Sequence, residues 1–387
     1  MSEYQYYEFL AVDHPLDASA LTQLRAMSTR AHITATSFIN TYHWGDLKGD
    51  PRDLTERYFD AFLYTANWGS RRLMFRLPAR LLDLDTAQQY CDTDLATAWA
   101  HDNNVMVELW REGGDGGGDW EDEDGEGRLT SIIPVRAQLA GGDLRLLYLG
   151  WLLSVQAGMI DDDALEPPVP PNLGTLEGPL SSVIDFLKLD ADLVAVAAEA
   201  SDDVKAATVS ETELVAWVTR LPTADKDALL LRVLRGEDAQ LRTELLRRFA
   251  GDSTIQPAVQ KPRRSAVELL ESAQLQGQER ERLAAQRYAR ERQRQARDAA
   301  IAREKRLDKL ASEGEQAWLR VNSLIDTMKP REYDLAVKLL CDLRDLAQRE
   351  GPTQDFTDRI MAMRHKYPNR HALLRRFDAA GLPAPSS

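Results

Sequence analysis

"DPRDLTERYFDAFLYTAN", residues Asp50 to Asn67, is the stretch on which the fold turns. Asp50 is a helix-capping residue type, and Pro51 suits the first helical position. Leu54, Tyr58 and Phe62 then recur every fourth residue, so the whole stretch reads as a helix. On its N-terminal side, "YQYYEFLAV" (Tyr4 to Val12) is aromatic enough for a strand. "DASALTQLRAMST" puts Leu21, Leu24 and Met27 at helical spacing, and "HITATSFINTYHW" alternates Ile33, Ala35, Ser37, Ile39 and Thr41 like a second strand. On the C-terminal side, "RRLMFRLP" (Arg71 to Pro78) is a third. The order β-α-β-α-β predicts a two-layer α/β sandwich of ferredoxin-like type.

Working outward, "NNVMVELWRE" and "RLTSIIPVRA" read as two more strands, with an acidic, Gly-rich hairpin loop between them over 113–127 that reads as disordered. An apolar helix from Leu144 to Met159 closes an acidic α/β domain, 1–160. Arg145 and Gln156 make that helix a buried one rather than a membrane span. A Pro-rich linker is expected over 161–178 and a helical domain over 179–251, where Ser210 and Glu213 form a capping box. A second linker, 252–264, leads into one long basic helix, 265–312, about 70 Å long at the usual rise. Helical hairpins fill 313–387. The class is therefore α+β: a ferredoxin-like sandwich followed by an all-helical C-terminal half with one long helix.

The net charge of −14 is unevenly placed. Residues 1–200 hold 33 Asp and Glu against 14 Lys and Arg, and the rest holds 29 against 34. The front should repel nucleic acid, and the back need not. Two distant cysteines exclude a disulfide framework and a Cys-rich zinc site. No N-terminal leader and no spanning apolar run is visible, so a cytoplasmic protein without a membrane partner is expected. No phosphate loop, nucleophile elbow or His-Glu-x-x-His stands in the sequence, and neither cofactor nor metal is expected.

Two stretches carry candidate chemistry. "INTYHWGDLKGDP" (Ile39 to Pro51) offers His43 as a general base or ligand, with Asp46 or Asp50 beside it and Lys48 for an anion. Its other reading is a turn, with Gly45 and Gly49 giving the geometry and Asp50 capping the next helix. The catalytic reading needs a partner, and His14 supplies one if the strand ends align. "RERLAAQRYARERQRQARDAAIAREKR" (Arg280 to Arg306) holds nine Arg and one Lys. Arg280, Arg282, Arg287, Arg290, Arg294 and Arg297 are the candidate phosphate contacts. Tyr288 is the one aromatic there, which favours a solvated helix held by pairs three and four apart. Leu269, Leu283, Ile301, Leu307 and Leu310 hold no sustained heptad, so a coiled-coil homodimer through this helix stays an open expectation.

In the tail, "EYDLAVKLLCDLRDLAQREGPTQDFTDRIMAMRHKYPNRHALLRRFDAAGL" puts Leu335, Leu339, Leu343 and Leu346 on one stripe. Phe356, Ile360 and Met363 make a second, and Leu373, Leu374 and Phe377 a third. Residues 315–382 resemble a helical segment of bacterial proteins that also carry a SWIM zinc finger. The Cys-x-Cys…Cys-x-His pattern of that finger is absent here, so the resemblance implies neither metal nor DNA binding. The front, with "YQYYEFLAVDHPL" and "RYFDAFLYTANWGSRRLMFRLP", resembles uncharacterised bacterial proteins. The function expected is a non-enzymatic adaptor or scaffold that docks a partner protein through its helical half. The alternatives are a nucleic-acid-associated component using the Arg-rich helix and an enzyme of the N-terminal domain using His43.

Overall fold

The computed structural model describes residues 3–113, 125–176, 178–203, 211–235, 241–252, 263–351 and 353–384. The acidic loop of 113–127 and the linker of 252–264 lie largely outside the described residues. The chain divides into two compact units, Met1–Arg280 and Glu281–Ser387. The architecture is α+β, with an N-terminal antiparallel sheet covered by helices and an all-helical remainder that contains one long helix.

The sheet is built from β1 (Gln5–Leu10), β2 (His32–Ile33), β3 (Ser37–Tyr42), β4 (Ala61–Ala66), β5 (Arg71–Pro78), β6 (Ala96–His101) and β7 (Asn104–Arg111). Its seven strands run in the order β2-β3-β1-β4-β5-β7-β6, antiparallel throughout. Helices α1 (Ala18–Met27), α2 (Pro51–Tyr58) and α3 (Leu84–Gln88) lie between strands in the chain. Residues of one parity make the first face: Phe9, Phe62 and Met74 pack with Phe38, Leu24 of α1 and Leu54 of α2. The opposite parity, with Leu63, Leu73, Phe75, Val107 and Leu109, meets a larger helical layer.

The decisive stretch is half helix and half strand. α2 stops at Tyr58, where Phe59 turns to extended backbone, and β4 begins three residues later. All of β4 is buried, because helices cover both sheet faces. A strand buried on both sides shows no alternation, and this one continued the fourfold spacing by chance. Leu54, Tyr58 and Phe62 do share one cluster, but from two elements.

"RLTSIIPVRA" is likewise helix, not strand: α4 (Arg128–Ile132) and α5 (Pro134–Ala140). The buried residues Leu129, Ile132, Val135 and Leu139 step by three and four, and Pro134 sits where a helix tolerates it and a central strand does not. β6, "ATAWAH", has no counterpart in the sequence reading, since alanine is a weak strand former.

α6 (Arg145–Gln156) is the buried apolar helix expected; Gly150 lets it approach the sheet, because a Cβ there would stand 2.6 Å from Leu109 Cδ2. α7 (Pro179–Leu187) and α8 (Ala191–Ala198) complete this layer. The Pro-rich segment read as a linker belongs to the same unit. Its Glu166 is buried, accepting from Tyr148 Oη at 3.0 Å and from Arg264 Nε and Nη2 at 3.0 Å each. A second buried ion cluster ties the helical layer to the strand ends. Arg136, 4% exposed, donates to both carboxylate oxygens of Asp13 at 2.9 and 2.6 Å and to the Arg76 carbonyl at 2.8 Å.

α9 (Glu211–Arg220), α10 (Thr223–Leu234) and α11 (Leu241–Asp252) follow, then α12 (Ala266–Glu313), 48 residues long. Ala266, Leu269 and Ala273 of α12 join the first unit's core, and Leu307 and Leu310 join the second's. The second unit also contains α13 (Glu315–Asp326), α14 (Pro330–Glu350), α15 (Thr353–Lys366) and α16 (His371–Ala379). The stripes on α15 and α16 fall largely where the spacing put them. On α14 the buried face is Tyr333, Ala336, Leu340, Leu343 and Leu346, and Leu335 faces solvent.

Candidate functional site

The loop after β3 behaves mainly as a turn. Gly45 adopts the left-handed φ of +83° that favours glycine. Asp50 accepts the Arg52 N–H at 2.8 Å and caps α2. His43 is exposed, 5.9 Å from the Tyr4 ring. The antiparallel register sets Tyr42 against Gln5 and Ser37 against Leu10. His43 therefore lies at the start of β1 and His14 beyond its end, about 20 Å apart along the strand. The two do not meet. His14 instead lines a separate 370 Å³ hollow with Asp17, Arg57 and Arg76. His101 has an acid that the sequence did not show, Glu56 Oε2 at 3.3 Å from its Nδ1.

Asp46 points elsewhere, into a 340 Å³ cavity at one end of the first sheet face. One cross-strand row builds its floor: Tyr7 pairs with Tyr64, Tyr64 with Arg72, and Arg72 with Trp110. Successive strands place these side chains side by side on the same face. The Tyr64 and Trp110 rings are parallel within 4°, with centroids 6.4 Å apart. Phe62, Trp68, Leu47 and Pro51 supply apolar walls.

Polar groups in the cavity, and Glu108 and Arg52 beside it, hold one another at two ends. At the first, Tyr7 Oη lies 2.5 Å from Asp46 Oδ1 and 2.8 Å from Gln5 Oε1, and Tyr64 Oη lies 3.0 Å from Gln5 Oε1. Two phenol protons serve three close oxygen contacts, so Tyr7 shares its proton between two acceptors. Gln5 is oriented by donating its amide to the Gly45 carbonyl at 2.9 Å. Burial, and for Tyr7 the Asp46 contact next, pushes both phenols well above the usual tyrosine range. They stay neutral donors across the physiological range.

At the second end, Glu108, 2% exposed, takes two guanidinium groups. Arg52 Nε donates to Oε2 at 2.8 Å, and Arg72 Nε donates to Oε1. Arg52 also lies over the Trp99 ring at 5.0 Å and Arg72 over Trp110 at 5.1 Å. Of these residues the sequence reading singled out Asp46 alone. The others looked like ordinary strand residues, because their convergence depends on register, which spacing does not reveal.

The Arg-rich candidates sit on α12. Every residue of 281–306 is exposed. Arg280 donates to Asp192 Oδ2 at 2.8 Å. Within the helix, Gln295 donates to Glu291 at 3.1 Å and Arg294 stands 3.9 Å from Asp298. Arg287, Arg290 and Arg297 are carried on the same exposed span, as is Arg282. A helix polar on all sides is held by such pairs and by the propensity of Arg, Gln, Glu and Ala.

A third surface is apolar. α9 exposes Val215 and Val218, and α10 exposes Leu230, Leu231, Val233 and Leu234. Among the described residues of 211–252, the buried hydrophobic ones are Trp217 and Leu241. No grouping of three or more His, Cys, Asp or Glu able to hold a metal occurs among the described residues. No described helix is long and apolar enough to cross a membrane. Searches of family models, curated proteins and solved structures return no match for this chain.

Proposed function

We propose that this protein is a non-enzymatic adaptor that docks a partner protein through its helical half. The apolar surface of α9 and α10 carries the reading. Leu230 is 63% exposed and Leu234 82%. Leucines clustered on one solvent-facing helix mark an interaction surface. Their spacing suits an amphipathic partner helix laid alongside, with apolar anchors three and four apart. A photo-crosslinker at position 234, introduced in the native host, tests this. A discrete product with a second protein supports it, provided that Leu230→Glu abolishes the product. No product, or only one at twice the mass of this chain, sinks it, and the latter result would favour a homodimer.

A second reading is favoured by the exposure of 281–306. There the arginines from Arg287 to Arg297 are exposed to solvent, as contacts to a nucleic-acid phosphate backbone require, while Arg303 and Arg306 pair with Asp345 and Asp342 of α14. It predicts binding to mixed DNA or RNA fragments that weakens steeply between low and physiological salt. Changing Arg287, Arg290, Arg294 and Arg297 to Gln should remove that binding. Binding that ignores salt would exclude this reading.

A further inference from the structure

We propose that the cavity over Tyr7, Tyr64 and Trp110 binds a small extended zwitterion: a cation and a carboxylate held apart by a flat apolar body. Opposite charges stand at the two ends of the cavity, away from the apolar surface of α9 and α10.

Glu108 is one carboxylate facing two guanidinium groups, Arg52 and Arg72. Of these three residues Arg72 alone lines the cavity, so the cavity meets a cation at that end. Arg72 spends its Nε on Glu108, and its two Nη groups make no hydrogen bond among the described residues. Asp46 is the converse. Its Oδ1 accepts from Tyr7 and from the Leu47 N–H at 2.7 Å, and no cation pairs with it among the described residues. That end carries an excess of one negative charge.

Between the two ends stands Tyr64. In the row Tyr7, Tyr64, Arg72, the outer residues are two strand spacings apart, about 10 Å between backbones. An α-amino acid with no distal charge has its ammonium and carboxylate on one carbon, too close together to satisfy both ends. A ligand that spans them needs a body between its charges. That body meets the parallel Tyr64 and Trp110 rings of the floor, with Phe62 among the apolar walls. The cavity's 340 Å³ lies within the range usual for small-molecule sites.

The ligand's carboxylate then meets the free guanidinium edge of Arg72, and its cation meets Asp46 Oδ2. Neither protein group is abandoned by its present partners, since Glu108 and Tyr7 use other atoms. Tyr7 and Gln5 position Asp46 rather than touch the ligand's charge.

The test is isothermal titration of the full chain with 4-(aminomethyl)benzoate. Its single-charge analogues 4-methylbenzoate and 4-methylbenzylamine serve as comparisons, and glycine as the short zwitterion. The expected result is binding of 4-(aminomethyl)benzoate about tenfold or more tighter than either analogue, with glycine silent. Asp46→Asn, which keeps an acceptor for Tyr7, should bring 4-(aminomethyl)benzoate down to the affinity of 4-methylbenzoate. The melting temperature of Asp46→Asn shows that the variant is folded, and the wild-type selectivity is a test without it. No heat from 4-(aminomethyl)benzoate at millimolar concentration overturns the proposal. So does an analogue that binds equally well, or an Asp46→Asn chain that keeps the zwitterion's advantage.

Discussion

β4 and α10 sit at opposite ends of one physical scale. Every residue of β4 is buried, and no residue of α10 is. Yet α10 has four leucines where β4 has one, so leucine content alone would put α10 in the core. The contrast separates apolar content from burial. In β4 the apolar residues lie between two layers that close over them; in α10 they face water.

The largest expected effect probes this contrast directly. Phe62→Ala in β4 should lower unfolding stability by about 4 kcal/mol, while Leu231→Ala in α10 should change it by less than about 0.5 kcal/mol. Urea denaturation of both variants gives the two numbers. Similar losses at both sites would mean that α10 is covered in solution, and the contrast would fail. Next in size is Gly150→Ala. The added methyl meets Leu109 Cδ2 at 2.6 Å and Cys91 Sγ at 3.3 Å. A loss of about 2 kcal/mol is expected from overpacking, and an unchanged denaturation midpoint would show that α6 can lift off the sheet without penalty.

Ala289→Gly tests the other end of the scale. It lies in the exposed span of α12, where propensity rather than packing holds the helix. A local cost of about 1 kcal/mol is expected, seen as faster amide exchange around residue 289 with the global midpoint unmoved. A shift in the midpoint would reveal packing on that span.

The smallest effect is electrostatic. Burial raises the Glu8 carboxyl above its ordinary value; the Tyr6 hydroxyl at 3.1 Å opposes this, and Glu126 adds to it. A raised folded-state value means that the native chain holds its proton more tightly than the unfolded chain. The stability Glu8 contributes is therefore full below its unfolded value and is lost as pH rises through the folded one. Glu8→Gln should be more stable than wild type at pH 7, with the gap closing toward pH 4. A gap that widens on acidification would contradict the burial argument.

Much of the fold was legible from local chemistry. Asp50 and Pro51 announced the start of α2, and "RRLMFRLP" gave β5 its residues. Phe356, Ile360, Leu373 and Phe377 faced inward as their spacing required. What escaped has one physical cause: tertiary cover. Burial on both sides erased the alternation of β4, and tight packing let the alanines of β6 form a strand against their propensity. The Pro-rich stretch around Glu166 read as a linker because the Arg264 that pairs with it lies 98 residues away. The cavity is the extreme case. Asp46 could be picked out as a polar loop residue, but Tyr7, Tyr64, Arg72 and Trp110 acquire meaning only through pairings between four strands.

The order of the sheet has a consequence for how the protein is made. Its last strand ends at Arg111, but the helices that cover its second face run from Arg128 to Ala198. At an ordinary rate of synthesis, on the order of ten seconds separates the two. During that interval a nascent chain carries a finished sheet whose Leu63, Leu73, Phe75, Val107 and Leu109 have nothing to cover them. Final closure of that face waits longer still, for Ala266, Leu269 and Ala273 to leave the ribosome. Apolar surface of that kind is what chaperones bind, so slowing translation past residue 111 should lengthen the time for which the nascent chain can be captured by one.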